Sequence, residues 1–134
     1  MNQRPDDIDS FLRLLQTYGC GVVRFLEKDW PDQSWEIQRH VRSLDGLEEE
    51  YIRGTVDLLI GCLGRAVFRG PFPNEHKAAL VDIQLSWARL LINAGEREAA
   101  AEYLQEVVDY GLGRSASKEV LKEASALMAL HVSE

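Results

Sequence analysis

The sequence has few residues that could cross-link it or carry metal chemistry. It contains only two cysteines, Cys20 and Cys62, with no CxxC pair and no histidine beside either. This excludes the usual zinc-finger and thiol-redox motifs. We therefore predict two buried, reduced thiols and no cofactor or metal, with a disulfide as the alternative. A chain of 134 residues buries enough surface to fold as a single helical domain without such help.

Basic charge and long apolar runs are also scarce. The chain has 15 Lys and Arg against 22 Asp and Glu, a net charge of −7, whereas nucleic-acid binding needs a concentrated basic face. Its most apolar stretch, VDLLIGCLGRAVF, is interrupted by Asp57 and Arg65 and falls short of the ~20 residues of a membrane span. The polar start MNQRPDDIDSF is unlike a signal peptide. We expect a cytoplasmic protein that binds neither nucleic acid nor membrane, and an acidic charge that suits a basic protein partner.

Helical periodicity, in contrast, runs through nearly the whole sequence. Apolar residues recur at steps of three and four, which predicts an all-α fold of about six helices in packed antiparallel hairpins. The first helix begins at residues 5–7 and continues through Gly19 and Gly21 to Trp30, with the glycines allowing a neighbour to pack closely. Two shorter helices, or a strand at GVVRFL, are the alternatives.

Proline and capping residues predict where the next helices begin and end. Pro31 ends the first helix, and DQSWEIQRHVRSL forms the second, with Trp35 on its apolar side. Asp45 and Glu48 have the spacing of a capping box for the third helix. That helix buries Tyr51 and ends at RGPFPN.

The remaining helices follow from similar signals. Asn74 is a good N-cap for the fourth helix, and Gly95 ends it. The fifth helix covers residues 96–110, and the last runs from about residue 117 to 131.

A repeat-like pattern occupies residues 81–112. Its first helix carries Trp87-Ala88 and Leu91, Gly95 lies in the turn, and its second helix carries Ala100 and Leu104. This arrangement resembles one tetratricopeptide repeat, a helix–turn–helix unit with large apolar residues around small ones. It departs from that family in having Gln84 in place of an aromatic residue and Leu112 in place of proline. The expected architecture is therefore TPR-like, or otherwise an irregular helical bundle.

Three groups of residues are candidates for binding a partner. The resemblance implies that Asp82, Leu85, Arg89 and Asn93 line the concave groove of a tetratricopeptide unit; the alternative is an ordinary polar helix face.

The second group is acidic. Steps of four, four and three place Glu98, Glu102, Glu106 and Asp109 on one face of a helix. They form either a solvated outer face or an acidic stripe that docks a basic partner.

The third group is aromatic. Trp30, Trp35 and Phe72 flank prolines near helix ends. They are lids on the core or, if exposed, the hot spots of an interface.

Catalytic patterns are missing. The sequence has no GxSxG, P-loop or GxGxxG, and His40, His76 and His131 have no ligand spacing. Consecutive carboxylates at 48–50 diverge around a helix and cannot converge on one ion. We predict a non-catalytic protein that binds and masks or chaperones a partner protein, as an immunity protein or secretion chaperone does. The alternative is a helical regulatory domain that binds a small ligand in its core.

Overall fold

A computed structural model describes residues 7–70, 72–112 and 118–131 of the chain. Within these ranges every regular element is an α-helix, which confirms the predicted all-α fold. No described helix is both long and apolar enough to cross a bilayer. The helices are α1 (Ile8–Leu26), α2 (Pro31–Arg42), α3 (Glu49–Arg69), α4 (Asn74–Asn93), α5 (Arg97–Leu112) and α6 (Lys118–His131).

The chain divides into two compact units. One unit is Leu12–Pro73, which holds most of α1 with α2 and α3. The other holds α4, α5 and α6 together with the start of α1 up to Phe11. That the chain folds as a single domain stays a prediction.

Helix α1 begins with a side-chain cap and runs unbroken through both glycines. The carboxylate of Asp7 accepts a hydrogen bond from the backbone N–H of Ser10 at 2.8 Å, which satisfies one of the free donors of the first turn. The predicted continuity is confirmed, so neither a break nor a strand occurs here. The helix ends at Leu26 rather than at Trp30, whose backbone N–H closes a final turn on the Leu26 carbonyl at 2.7 Å. Residues 5 and 6 of the predicted start lie outside the described residues.

Pro31 opens α2, with Trp30 as its N-cap. A proline fits the first helical position because it has no N–H that would need a partner there. The inner face of α2 consists of Ser34, Ile37 and Val41. Trp35 was predicted on this face, but its side chain is 63% exposed, because it lies about 100° around the helix from Ser34.

The predicted capping box before α3 is wrong. The N-cap is Glu48, and no side chain caps the helix. Asp45 instead accepts a hydrogen bond at 2.8 Å from the side-chain amide of Gln16 in α1. The predicted burial of Tyr51 is also wrong, since this side chain is 58% exposed at the first turn. The buried side of α3 consists of Val56, Leu59, Ile60, Cys62, Leu63, Ala66 and Val67.

The two cysteines lie in different surroundings. Both are free thiols, and Cys62 is buried as predicted. Cys20 is exposed, which corrects the prediction for that residue. The reason is its phase on α1, since it lies two residues and therefore about 200° away from buried Val22.

In the other unit, α4 packs against α5, and a short loop connects the two helices. Gly95 ends α4 as predicted, with a φ of 84° that favours glycine. The backbone N–H of Glu96 bonds the Leu91 carbonyl at 2.8 Å, and that of Gly95 bonds the Ile92 carbonyl at 3.0 Å. These two bonds form a Schellman motif and satisfy the last carbonyls of α4.

The core of this unit contains the residues that carry the repeat resemblance. The indole of Trp87 stacks on Phe11 with 5.2 Å between ring centroids, and Ala88, Ala100 and Leu104 are fully buried. Any well-packed helical pair buries such residues. Their burial therefore does not distinguish a tetratricopeptide unit from another helical bundle, and the resemblance stays a prediction.

Candidate functional site

The stripe predicted to line a groove on α4 ranges from buried to exposed along the helix. Leu85 is fully buried and adds nothing to the surface, and Asp82 is half-buried. A guanidinium nitrogen of Arg89 lies 3.7 Å from a carboxylate oxygen of Glu123 in α6. Helix α6 of the chain itself therefore lies against this stripe at Arg89, and only Asn93, at the end of α4, is exposed.

The acidic stripe on α5, consisting of Glu98, Glu102, Glu106 and Asp109, is exposed along its whole length. Partial burial raises the pKa of the Glu106 carboxyl above its ordinary value, and the charges of Glu102 and Asp109 raise it further. The same carboxylate accepts a hydrogen bond at 3.2 Å from the side-chain amide of buried Gln84. The stripe is thus a local concentration of negative charge.

Two of the three predicted aromatic contacts lie at the surface. Trp30 is 38% exposed and Trp35 is 63% exposed. Phe72 instead is buried and stacks on Phe25, with ring centroids 4.3 Å apart, so it contributes no contact surface. It therefore lies where the alternative, a lid on the core, would place it.

Trp35 is held in place although it is exposed. The guanidinium of Arg39, one turn later on α2, lies over the indole ring at 5.3 Å from its centroid. Such a cation–π contact is worth about 0.5–1 kcal/mol at an exposed site. It restricts the orientation of the ring and leaves much of the indole open to a partner.

A cleft of about 440 Å³ opens beside Trp30. It lies among the end of α1, the start of α2 and the end of α3, and its polar lining is Gln33, Arg65 and Arg69. The two arginines are exposed and stand one helical turn apart on α3. Guanidinium groups bind carboxylates and phosphates through paired hydrogen bonds. The chemistry of this cleft therefore suits an anionic group next to an aromatic or apolar one.

A smaller recess of about 60 Å³ shares Gln33 and Arg65 with the cleft and extends to Glu36 and Cys62. Here Glu36 and His40, one turn apart on α2, meet Cys62 of α3. One potential ligand atom of each of the three residues lies within 4.8 Å of those of the other two. We call these three residues the Glu–His–Cys cluster.

Hydrogen bonds tie this cluster together. The Cys62 thiol donates to a Glu36 carboxylate oxygen at 3.6 Å, and Nη2 of Arg65 lies 3.3 Å from the Cys62 sulfur. Burial raises the pKa of the Cys62 thiol, the Glu36 charge adds to this effect, and Arg65 opposes it. A thiol with a raised pKa is a weak nucleophile. Thiol, imidazole and carboxylate are, however, three of the usual ligands of zinc.

No sequence pattern marks this cluster as a whole, and the prediction from the sequence is that no metal is bound. The spacing of Glu36 and His40, four residues apart, places them on one side of a helix and was the available signal. The third member, Cys62, belongs to another helix. Only the pairing of α2 with α3 brings it near, and no local sequence pattern encodes that pairing.

Comparison with protein-family models, with curated proteins and with solved structures finds no match for this chain.

Proposed function

We propose that this is a non-catalytic protein that binds a partner protein through the start of α2 and the adjoining cleft. We call this region the tryptophan surface and define it by Trp30, Gln33, Trp35, Arg65 and Arg69. The observation that carries the proposal is the exposure of two of the chain's three tryptophans, Trp30 at the N-cap of α2 and Trp35 in its second turn. Tryptophan and arginine are enriched among the residues that dominate binding energies.

The distribution of exposed apolar side chains supports this choice of surface. Among the side chains whose exposure the structure gives, which leave out residues 110–121, 128, 130 and 131, the large apolar ones with high exposure belong to the Leu12–Pro73 unit. The acidic stripe on α5 consists of four carboxylates and contains no apolar member. Rim charges mainly change association rates and salt dependence, whereas buried aromatic anchors supply affinity. We therefore place the main contact on the tryptophan surface.

The two tryptophans are close enough for one partner to cover both. Trp35 follows Trp30 by five positions, which on a helix is roughly 7.5 Å along the axis and about 140° around it. A standard interface buries about 800 Å² on each partner, far more than this spacing requires. The cation–π contact with Arg39 orients the Trp35 ring in advance, which lowers the entropy lost on binding.

The cleft indicates the chemistry of the partner. Arg65 and Arg69 place two positive charges beside Trp30 in a concave space. A matching partner segment carries an acidic side chain next to an apolar one. This differs from the basic partner that the net charge of −7 suggests, since local charge rather than net charge meets the partner at a contact. Occupying this surface would mask the bound segment, as an immunity protein or a secretion chaperone does.

A small anionic ligand in the cleft is the second candidate. It differs from the alternative predicted from the sequence, a helical regulatory domain with its ligand in the core, in placing the ligand at the surface. A volume of about 440 Å³ falls within the range of small-molecule sites. Such a ligand would use Arg65 and Arg69 but would not need Trp35, which is absent from the lining of the cleft. The behaviour of Trp35 variants therefore separates the two candidates.

The test is affinity capture from the source cells with the full chain and four variants. Trp35→Ala and the double change Arg65→Glu with Arg69→Glu should each abolish the capture of a stoichiometric partner. Tyr51→Ala is the matched control, because Tyr51 is an aromatic residue of similar exposure that lies roughly 21 Å along α3 from Arg65. It should capture as the wild type does.

The fourth variant reverses Glu98, Glu102 and Glu106 to lysine and tests the acidic stripe. If only this variant failed to capture the partner, the partner would bind the acidic stripe on α5 and not the tryptophan surface. A small molecule that stays bound to the Trp35→Ala protein but not to the protein with Arg65→Glu and Arg69→Glu would favour the small anionic ligand. Equal capture by the Trp35→Ala, arginine and Tyr51→Ala proteins would contradict the proposed surface.

A further inference from the structure

We propose that Glu36, His40 and Cys62 form a binding site for a divalent transition-metal ion, for which Zn²⁺ is the best match. This inference is independent of the proposed protein-binding function. It rests on the convergence of three metal-binding side chains from two helices at one point.

The geometry needs only a small adjustment to hold an ion. Zinc binds sulfur, nitrogen and oxygen ligands at about 2.0–2.3 Å in a tetrahedron, so neighbouring ligand atoms are roughly 3.4 Å apart. The Cys62 sulfur and a Glu36 oxygen already lie at 3.6 Å. The ligand atoms of all three residues lie within 4.8 Å of one another. The remaining gap would be closed by rotation of the exposed Glu36 and half-buried His40 side chains.

The ligand types select the metal. A thiolate and an imidazole suit zinc and other borderline ions, whereas magnesium and calcium prefer sets made of oxygen alone. The thiolate and the carboxylate together carry two negative charges, which balance a divalent cation. Arg65, which donates to the sulfur at 3.3 Å, can continue to do so, since ligands of a bound metal commonly make such hydrogen bonds.

The site would keep one position open. The described residues supply three ligands, and tetrahedral zinc takes four. The recess beside Glu36 and Cys62 has about 60 Å³ of space, enough for a water molecule as the fourth ligand. This recess shares Gln33 and Arg65 with the larger cleft, so a water molecule in the recess would lie next to that cleft.

A nucleophilic role for Cys62 accounts less well for the same contacts. The thiol donates its proton to Glu36 at 3.6 Å, and the sulfur is buried. Activated thiols are instead partly exposed and hold their proton weakly. A metal ion uses all three members of the cluster at once.

The test titrates Co²⁺, as a spectroscopic substitute for zinc, into the reduced full chain. One equivalent should produce a thiolate-to-cobalt charge-transfer band in the near ultraviolet and the intense visible bands of tetrahedral Co²⁺. Adding Zn²⁺ should displace the cobalt and remove all of these bands. Cys62→Ser should lose the charge-transfer band. Cys20→Ser, a change at the other and exposed cysteine, should keep it.

Glu36→Gln and His40→Asn provide a check that spares the sulfur. Each should weaken Co²⁺ binding by more than about tenfold, since even the loss of a residue that only orients a ligand costs that much, while the far-ultraviolet circular dichroism of the protein stays unchanged. The proposal is overturned if the wild type shows no charge-transfer band, or if the band survives Cys62→Ser or disappears in Cys20→Ser. Wild-type affinity in both the Glu36→Gln and His40→Asn proteins would also overturn it.

Discussion

Gly19 of α1 lies so close to Val41 of α2 that a methyl carbon added at Gly19 would come within 2.6 Å of Cγ2 of Val41. Carbon atoms in contact are normally about 3.5–4.0 Å apart, so only glycine allows this approach of the two helices. Gly21, two residues later, has no atom within 4 Å of the corresponding position. The predicted close packing is therefore confirmed at Gly19 and does not extend to Gly21.

Alanine at these two glycines should have opposite effects on the free energy of unfolding. Gly19→Ala overpacks the contact with Val41 and should cost about 1–3 kcal/mol. Gly21→Ala removes backbone freedom from the unfolded chain and should stabilise the protein by about 0.5–1 kcal/mol. Urea denaturation measures both. A Gly19→Ala protein as stable as the Gly21→Ala protein would show that α1 and α2 do not meet at Gly19.

A buried serine adds a polar contact between the same two helices. Ser34 donates its hydroxyl to the Val23 carbonyl at 2.9 Å, and Ser34→Ala should cost about 0.5–1.5 kcal/mol. Ser43 donates to the Arg39 carbonyl at the same distance of 2.9 Å, but it is exposed. Ser43→Ala should therefore change stability by less than about 0.5 kcal/mol. Thermal unfolding of both variants checks the difference, and equal losses would mean that Ser34 is not a buried link.

The acidic stripe gives a pH-dependent prediction. Burial, with the charges of Glu102 and Asp109, raises the folded-state pKa of Glu106 above its ordinary value of 4.5. When folding raises the pKa of a carboxyl group, the group favours the folded state at pH values below its unfolded-state pKa, where it is protonated. This contribution to the free energy of unfolding is lost as the pH rises through the folded-state pKa. Glu106→Gln removes the ionisation and so this loss of stability, and it keeps a side-chain oxygen that can accept the hydrogen bond from Gln84.

The Glu106→Gln protein should therefore be more stable than the wild type at neutral pH. The gain should be about 0.2–0.5 kcal/mol, the size of a like-charge repulsion one turn apart, and should vanish below pH 4.5, the ordinary value for this group. Glu98→Gln is the control with the opposite sign. Glu98 lies in the first turn of α5, where a negative charge stabilises the helix by about 0.3–1 kcal/mol. Denaturation at several pH values measures both, and a Glu106→Gln protein less stable at neutral pH would contradict the raised pKa.

The sequence predicted those features of the fold that depend on local patterns. Apolar periodicity identified α1 as one helix through Gly19, and Gly95 marked the end of α4 because the final turn requires a positive φ. The apolar periodicity could not show that Pro31 is the first residue of α2. Proline is common both at the first position of a helix and in the connection between two helices.

Contacts between helices account for most of what the sequence could not predict. Asp45 has the spacing of a helix cap, but Gln16 of another helix binds its carboxylate instead. Trp35 was assigned to an apolar side, yet the packing of Ser34, Ile37 and Val41 turns it outward. The Glu–His–Cys cluster was missed for the same reason, because Cys62 reaches Glu36 only when α3 packs on α2.

Photo-crosslinking from position 35 is the measurement that tests the central claim most directly. A photoreactive aromatic amino acid replaces Trp35 in the full chain in the source cells, and the same group placed at position 51 is the control. A contact at the tryptophan surface predicts one discrete protein adduct from position 35, its loss when Arg65 and Arg69 are both changed to glutamate, and none from position 51. No adduct from position 35, or the same adduct from both positions, would contradict the claim.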